Sequence, residues 1–457
     1  MITTRLAEFA ASLQPHDLSP KARATAGLLA FDLFGTASFV GHRTPWGRIV
    51  TGLAADELQG PPVATIIGTG TRTSCAAAAL ANGTLAMGFE YEDMHPISGG
   101  HPFSIAFPAA LAAGQWQHRS GLEVLTAAAA GYEVETRIGL GLRPERGTWV
   151  ERGLYPITML GVFGSAAAAA RALRLSPEQT AHALGIAGSH AFGTMQAHAE
   201  GTMTRRLHGG KAAEVGVVAA LLARRGFTGP TEIVEGRYGF FKVYATASDA
   251  AAVTADLGSR LMIEDAWLKY YPVNGLFQAP IDAARSLQAE HGFTAADVVE
   301  VRATIARASR MHAENVHTSS VRAQFSLPVC LALALRDGRP RPQALLSAVT
   351  DPEVLRLAER VHVTLDARIP EGHPDATRFG RVEVALRTGQ VVHREVLYPR
   401  GHPKNPMGWE DVRRKFDELL DGWVGPAHRD ALAERLAAFD RLDDTSTLDL
   451  GVRTESG

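Results

Sequence analysis

Three stretches of this chain concentrate side chains that move protons or grip anions. The first runs Phe89-Glu90-Tyr91-Glu92-Asp93-Met94-His95-Pro96 and continues through Gly99-Gly100-His101-Pro102. Glu90 and Asp93 would share one face if the small-residue helix before them runs through both. Carboxylates at a helix C-terminus oppose the macrodipole, which argues that chemistry rather than stability put them there. The plainer readings are a solvated helix end, or a zinc site of Asp93, His95 and His101 that lacks a helix-borne HExxH pattern.

The second stretch runs from Gly193 to Lys211. His198, Arg205, Arg206, His208 and Lys211 are cations or donors, and Gly209-Gly210 would let the backbone approach a ligand. Such a set suits carboxylates, which arginine grips with two parallel hydrogen bonds. A solvated basic loop is the alternative. The third stretch, Trp267-Leu268-Lys269-Tyr270-Tyr271-Pro272, sets one lysine among aromatics. Burial would make it a base or an anion anchor; reaching past the rings to solvent is the alternative. Neither His101 nor Lys269 sits in an apolar stripe, so replacing either is expected to leave the fold intact.

The elements that must position these groups change character near residue 265. Up to there the pattern is helix after helix. Ser19 reads as an N-cap with Pro20 at the first helical position, and Ala24 to Phe39 as the body that follows. Ser120 to Gly139, Gly161 to Leu173 and Pro177 to Gly188 read as closely packed helices of one bundle. Lys211 to Arg225 reads as another, preceded by the two glycines. After residue 265, Val299 to Ile305 and Arg360 to Asp366 alternate as strands, with Val299, Val301, Ala303 and Ile305 on one face. Val382 to Leu386 and Val391 to Val396 flank a Thr388-Gly389 hairpin turn. Gln278 to His291 and Val321 to Arg336 read as helices between them, and Gly408 to Arg441 returns to helix. The expected fold class is mainly α. It is a large helical domain of residues 1–265, an α+β unit of 266–398, and a C-terminal helical segment of 399–457 that packs back on the first.

Bulk properties narrow the function. The 457 residues carry a net charge of −2, which gives no field suited to nucleic acid. Cys75 and Cys330 stand alone and read as buried thiols of a reducing compartment. The N-terminus lacks a signal-peptide pattern, no uncharged apolar span of membrane length is found, and the expected location is the cytoplasm. Ile66 to Thr73 resembles a dinucleotide loop, but Thr73 stands where the third glycine belongs and no βαβ unit surrounds it. A turn leading into an N-cap fits better.

Taken in order, these motifs resemble the MmgE/PrpD family of 2-methylcitrate dehydratase, cis-aconitate decarboxylase and iminodisuccinate epimerase. Thr84 to His101 resembles its acidic segment ending in His-Pro. Thr204 to Pro230 is similar to its basic run and the following Gly-Phe-Thr-Gly-Pro. Lys269 to Pro272, Ala323 to Pro328 and Gly401 to Met407 resemble its later signatures. The resemblance implies a helical domain from both chain ends with a smaller α+β lid, a homodimer, no metal or organic cofactor, and a small polycarboxylate bound between the domains. Residue by residue, it points to Glu90 where aspartate is usual, Asp93, His101 and Lys269. It also marks four departures from the decarboxylase pattern: Met94 for threonine, Tyr155 for histidine, Arg205 for lysine and Leu327 for tyrosine.

The chemistry so implied makes or quenches a carbanion beside a carboxylate, with growing charge met by cations. His101 is the first choice of base, since an unperturbed histidine titrates near 6.5. Tyr155 would exchange a proton on the opposite face, and Glu90 or Asp93 would orient a histidine or lysine. Arg205, His208, Lys211 and His95 would bind substrate. The expected activity is a cofactor-independent lyase or isomerase, 2-methylcitrate dehydratase-like, with epimerase-like and decarboxylase-like alternatives. A metal-dependent hydrolase and a catalytically silent binding protein are the readings from other classes.

Overall fold

Helices faced with alanine and glycine approach one another closely, and this chain uses that property around its buried charges. The structure, a computed structural model, describes residues 1–98, 100–142, 146–245, 247–306, 318–366 and 379–453. Gly99, part of the glycine turn singled out above, lies outside the described residues. The fold is mainly α, with small sheets. Its first part comprises α1 (Ile2–Ser12), α2 (Pro20–Arg43), α3 (Pro45–Asp56), α4 (Cys75–Ala86), α5 (Pro102–Trp116), α6 (Gly121–Gly141), α7 (Pro156–Ala172), α8 (Pro177–Gly188) and α9 (Thr204–Arg224). Serine caps start several of them. Ser19 accepts from the Ala22 amide at 3.0 Å, and Ser120 and Ser176 form reciprocal capping boxes with Glu123 and Gln179.

α9 packs along both α4 and α7, and α5, α6 and α7 pack on one another. The sequence reading started α9 at Lys211, after the glycines. In the structure it starts at Thr204, so Gly209 and Gly210 lie inside the helix. Their purpose there is contact with α4 rather than with a ligand. A Cβ on Gly210 would lie 2.1 Å from both the Leu80 carbonyl oxygen and Thr84 Oγ1. The glycine loop near residue 68 is a hairpin turn: β1 (Ala64–Thr65) pairs antiparallel with β2 (Arg72–Thr73), and Ser74 caps α4. α2 is long and apolar enough to cross a membrane, but 78% of its apolar window is buried inside the fold.

A second two-stranded pair joins β3 (Asp93–Met94) to β4 (Trp267–Leu268). Beyond it lies a four-stranded sheet in the order β6-β5-β7-β8, made of β5 (Val298–Ala306), β6 (Val361–Asp366), β7 (Gly380–Leu386) and β8 (Val391–Val396). β5 runs parallel to β6 and antiparallel to β7, and β7–β8 is the expected hairpin. One strand face differs from expectation. A register shift between Val298 and Glu300 turns Val299 to solvent, so Val298 joins Val301, Ala303 and Ile305 in the core. In β6 Val361 is buried, Val363 is half-buried and Leu365 is exposed.

α10 (Gln278–His291) packs against β7 and β8, and against α11 (Leu327–Asp337). The expected helix from Val321 to Arg336 is broken, because Ser326 caps a new helix with Pro328 in its first turn. The break leaves Gln324 and Phe325 outside regular structure, where they face the site described below. The tail forms α12 (Trp409–Leu420) and α13 (Pro426–Ala437), both packed on α2. Val452 then donates its amide to the Gly68 carbonyl at 2.7 Å, bringing the C-terminal segment against the first hairpin.

The tight α4–α9 crossing sets the first expected outcome. Gly210→Val should destabilise the protein by about 1–3 kcal/mol or more through overpacking. A Tm equal to that of the native protein in a thermal melt would contradict this packing.

Candidate functional site

The acidic segment does not continue α4. That helix ends at Ala86, and Glu90 takes a left-handed conformation with φ 55°. This conformation is uncommon for a side chain as large as glutamate and persists where surroundings over-determine it. The chain then extends into β3, so the expected Glu90–Asp93 face is replaced by alternation. Glu90 and Glu92 share buried cationic partners, and Asp93 bonds elsewhere. The macrodipole argument therefore does not apply to these acids, which lie beyond the helix.

β3 opposes β4 with Asp93 across from Leu268, and one step further sets Glu92 beside Lys269. Lys269 Nζ lies 3.0 Å from Glu90 Oε2 and 3.1 Å from Glu92 Oε1, and its residue is 0% exposed. It does not reach past the aromatics to solvent; it is a cation clamped between two carboxylates. From the first turns of α9, Arg205 donates to Glu90 Oε1, and Arg206 Nη1 lies 3.5 Å from the same oxygen. Arg205 Nη2 also stands 3.8 Å from Glu92 Oε1. Gln324, from the break before α11, accepts from Arg206 and donates to the Phe89 and Pro272 carbonyls at 2.8 and 2.7 Å. Segments far apart in the chain thus meet at one charge cluster.

Electrostatics follow from this closure. Burial would raise the Glu90 carboxyl, but Arg205, Lys269 and Arg206 outweigh it and hold it well below the usual range. Burial would lower the Arg205 guanidinium, but Glu90, Tyr155 and Glu92 raise it above its ordinary value. Arg206 goes the other way, to about 10, because burial and its neighbour Arg205 outweigh Glu90.

His101 lies at the N-terminus of α5. Its Nδ1 is 2.5 Å from the Asp93 carbonyl oxygen and 3.6 Å from Glu92 Oε1. A carbonyl only accepts, so Nδ1 carries the proton and Nε2 is left with the lone pair. Burial, with Lys269 nearby, lowers the ring to about 4 against the pull of Glu92. This corrects the expectation of a histidine near 6.5. Asp93 turns out to serve α5: its carboxylate accepts from the Phe103 and Ser104 amides at 3.0 and 2.9 Å and from the Ser104 hydroxyl. Burial still raises it to about 6.

Tyr155 lies against His198 and His208, with ring centroids 5.0 and 4.7 Å away and planes tilted by 45° and 34°, and Arg205 lies over its face at 5.5 Å. Burial raises the phenol, which is therefore neutral, and lowers His208 to about 4. The Tyr155 hydroxyl, His208 Nδ1, and Arg205 Nε and Nη1 are buried polar atoms with no hydrogen-bond partner among the described residues. Such groups are costly unless something accepts from them.

One expected member lies apart from this cluster. Lys211 projects outward, its side chain 50% exposed and 2.5 Å from Glu214, so the structure does not bring it to the site. His95 sits in the turn before α5, with Nδ1 accepting from the Ser98 amide at 3.1 Å and its ring edge-on to Tyr132. Asp93, His95 and His101 are not gathered for a metal; among the described residues no group of three or more His, Cys, Asp and Glu could hold one. From sequence, Arg206 is one of the cations that suit carboxylates, whereas Glu92 and Gln324 have no individual role. Period-two alternation from Glu90 would have pointed to Glu92, whereas Gln324 lay within a family-like segment whose spacing gave it no role.

Comparison with known proteins follows the same segments. The chain matches the MmgE/PrpD N-terminal domain over residues 4–252 and the MmgE/PrpD C-terminal domain over residues 271–439. It is 27% identical over 475 residues to a cis-aconitate decarboxylase of Aspergillus terreus, covering 98% of this chain and 95% of the relative. It is 30% identical over 302 residues to a cis-aconitate decarboxylase-like protein of Aspergillus oryzae, covering 63% of this chain and 61% of that one. A human cis-aconitate decarboxylase is 28% identical over 388 residues, covering 81% of this chain and 78% of the relative.

The buried pairing corrects the expectation that Lys269 can be replaced without cost to the fold. Lys269→Ala leaves Glu92 with Arg205 at 3.8 Å as its remaining arginine, takes one cation from Glu90, and should cost about 3–5 kcal/mol in urea unfolding. Adding Glu92→Gln should recover part of that loss. A single variant as stable as the native protein would show that the three groups are not held together.

Proposed function

Because the chain belongs to the MmgE/PrpD family, we propose that it is a lyase acting on a small di- or tricarboxylate without a cofactor, with decarboxylation of a cis-aconitate-like acid as the first reading. The observation that carries this is the set of unpaired Arg205 donors beside Lys269, Arg206 and two neutral proton carriers. Buried arginine donors suit carboxylates, and cations in a closed site stabilise charge that develops during reaction. The names of the relatives favour decarboxylation over the 2-methylcitrate dehydration expected from sequence.

In this reading the substrate's carboxylates meet Arg205 and Lys269, with His208 at the edge. The bond to one carboxylate breaks, carbon dioxide leaves, and the electron pair stays on carbon, delocalised towards the adjoining unsaturated acid. A proton carrier then quenches that carbon. His101 Nε2 accepts the acid proton of the reacting carboxyl before the carbon–carbon bond breaks, the neutral Tyr155 phenol donates the proton that the carbon takes, and solvent returns a proton from His101 to Tyr155. Glu90 and Glu92 hold the cations in register, and Asp93 fixes the start of α5 and so the place of His101. The unit of residues 266–398 acts as a lid, since it contributes Lys269 and Gln324, and the enzyme works as a homodimer. An epimerase-like isomerase is the second reading. It is favoured by Tyr155, which stands where the decarboxylase pattern has histidine and gives proton carriers of two kinds.

The test is direct. Purified enzyme is incubated in heavy water with cis-aconitate, 2-methylcitrate or iminodisuccinate, and products are followed by NMR. One acid should be consumed, with deuterium placed on carbon beside a carboxylate and with carbon dioxide released if the first reading holds. Turnover of a true substrate without C–H or C–C cleavage would overturn the proposal.

The pH dependence has a sign. A base works deprotonated, and His101 in the free enzyme loses that form only as pH falls through about 4. The acid limb of kcat/KM should therefore lie near 4. Bound carboxylates raise a neighbouring imidazole, so the limb of kcat should lie higher. A limb of kcat/KM near 6.5 would contradict the buried, neutral ring.

A further inference from the structure

A second buried ion pair lies behind the cluster. Lys415, on α12, has its Nζ 2.8 and 2.9 Å from the two carboxylate oxygens of Asp32 on α2. Both side chains are buried, with Lys415 1% and Asp32 5% exposed. An apolar pair would hold α12 on α2 as well, often with better stability, so helix docking alone does not account for the charges. An ammonium has three N–H donors. Besides Asp32, Nζ donates to the Tyr91 carbonyl at 2.8 Å and to the Lys269 carbonyl at 3.2 Å, while lying 3.6 Å from the centre of the Tyr91 ring. Tyr91 stands between Glu90 and Glu92, and Lys269 is the cation they share.

We propose that Lys415, held by Asp32, is a positioning residue that clamps the two backbones carrying the Glu90–Glu92–Lys269 cluster. The clamp acts on main chain, outside the substrate's reach, and rests on the proposed function only for its effect on turnover. Asp32 and Glu92 also line one cavity of about 10 Å³, room for a single water, together with Thr36 and Ser104. The charged groups that face Lys415 are Asp32 from α2, Glu92 from the segment before β3, and Lys269 from the end of β4. Lys415 thus connects the C-terminal tail to the first acidic segment and to the segment that carries the catalytic cation.

The experiment uses Asp32→Asn combined with Lys415→Met in the full chain. This change removes both charges together and keeps the volume near that of the pair, so folding is preserved. Hydrogen exchange by mass spectrometry should show faster exchange confined to peptides spanning 88–95 and 266–272. With the acid that the native enzyme converts, kcat should fall roughly 10- to 100-fold, as for small misplacements of reacting groups, with KM changed less. The acid limb of the pH profile should move, because Glu92 sets the environment of His101. Unchanged exchange in both peptides would overturn the proposal, as would a lowered Tm with unchanged kcat and pH profile. If the native enzyme converts no polycarboxylate, the proposed function fails, but the exchange measurement still decides whether Lys415 clamps these backbones.

Discussion

Lys269 cannot be buried alone. Taking an ammonium out of water costs several kcal/mol unless carboxylates meet it, and the same holds for Glu90 and Glu92. The three groups lie 3.0 and 3.1 Å apart, so each is the condition for burying the others. Much of the molecule is arranged around that condition. β3 and β4, two residues each, exist to hold Glu92 beside Lys269. The left-handed Glu90 is the local concession that turns its carboxylate toward the same nitrogen.

The helical bundle supplies the remaining charges by close approach. Arg205 and Arg206 come from the start of α9, whose depth is set by Gly209 and Gly210 against α4. A side chain at either glycine would push the helix outward and carry both guanidinium groups away from Glu90. Packing density and electrostatics are therefore the same constraint here. Glu135 offers a contrast. It is buried on α6 with neither carboxylate oxygen hydrogen-bonded among the described residues, and burial raises it well above the usual range. Burial without a paired cation among the described residues disfavours the charged carboxylate.

The departures from the decarboxylase pattern now have surroundings. Tyr155 is packed against imidazoles under a guanidinium, a place that keeps the phenol neutral and its hydroxyl available. Arg205 carries a planar fork of donors, of which Nε and Nη1 have no hydrogen-bond partner among the described residues. Met94 is buried on β3, and Leu327 is buried in the first turn of α11.

Sequence alone determined the helical first part, the helix cap at Ser19, the α10 boundaries, the β7–β8 hairpin and the motifs that carry the family. Each rests on local chemistry: periodicity, a side chain that caps its own helix, or a glycine in a turn. Sequence also named Glu90 and Arg205 from clusters of like groups, Lys269 from its place among aromatics, and His101 through the family resemblance. Tertiary structure decided which of the named residues meet. It sent Lys211 to solvent and gave Asp93 to the start of α5. It turned Glu92, Arg206 and Gln324 into members of the cluster, and placed Lys415 beside Asp32 across 383 residues. Backbone that leaves a helix loses the helical period, and partners from distant segments leave no mark on local spacing. Such contacts exist only once the chain has closed on itself.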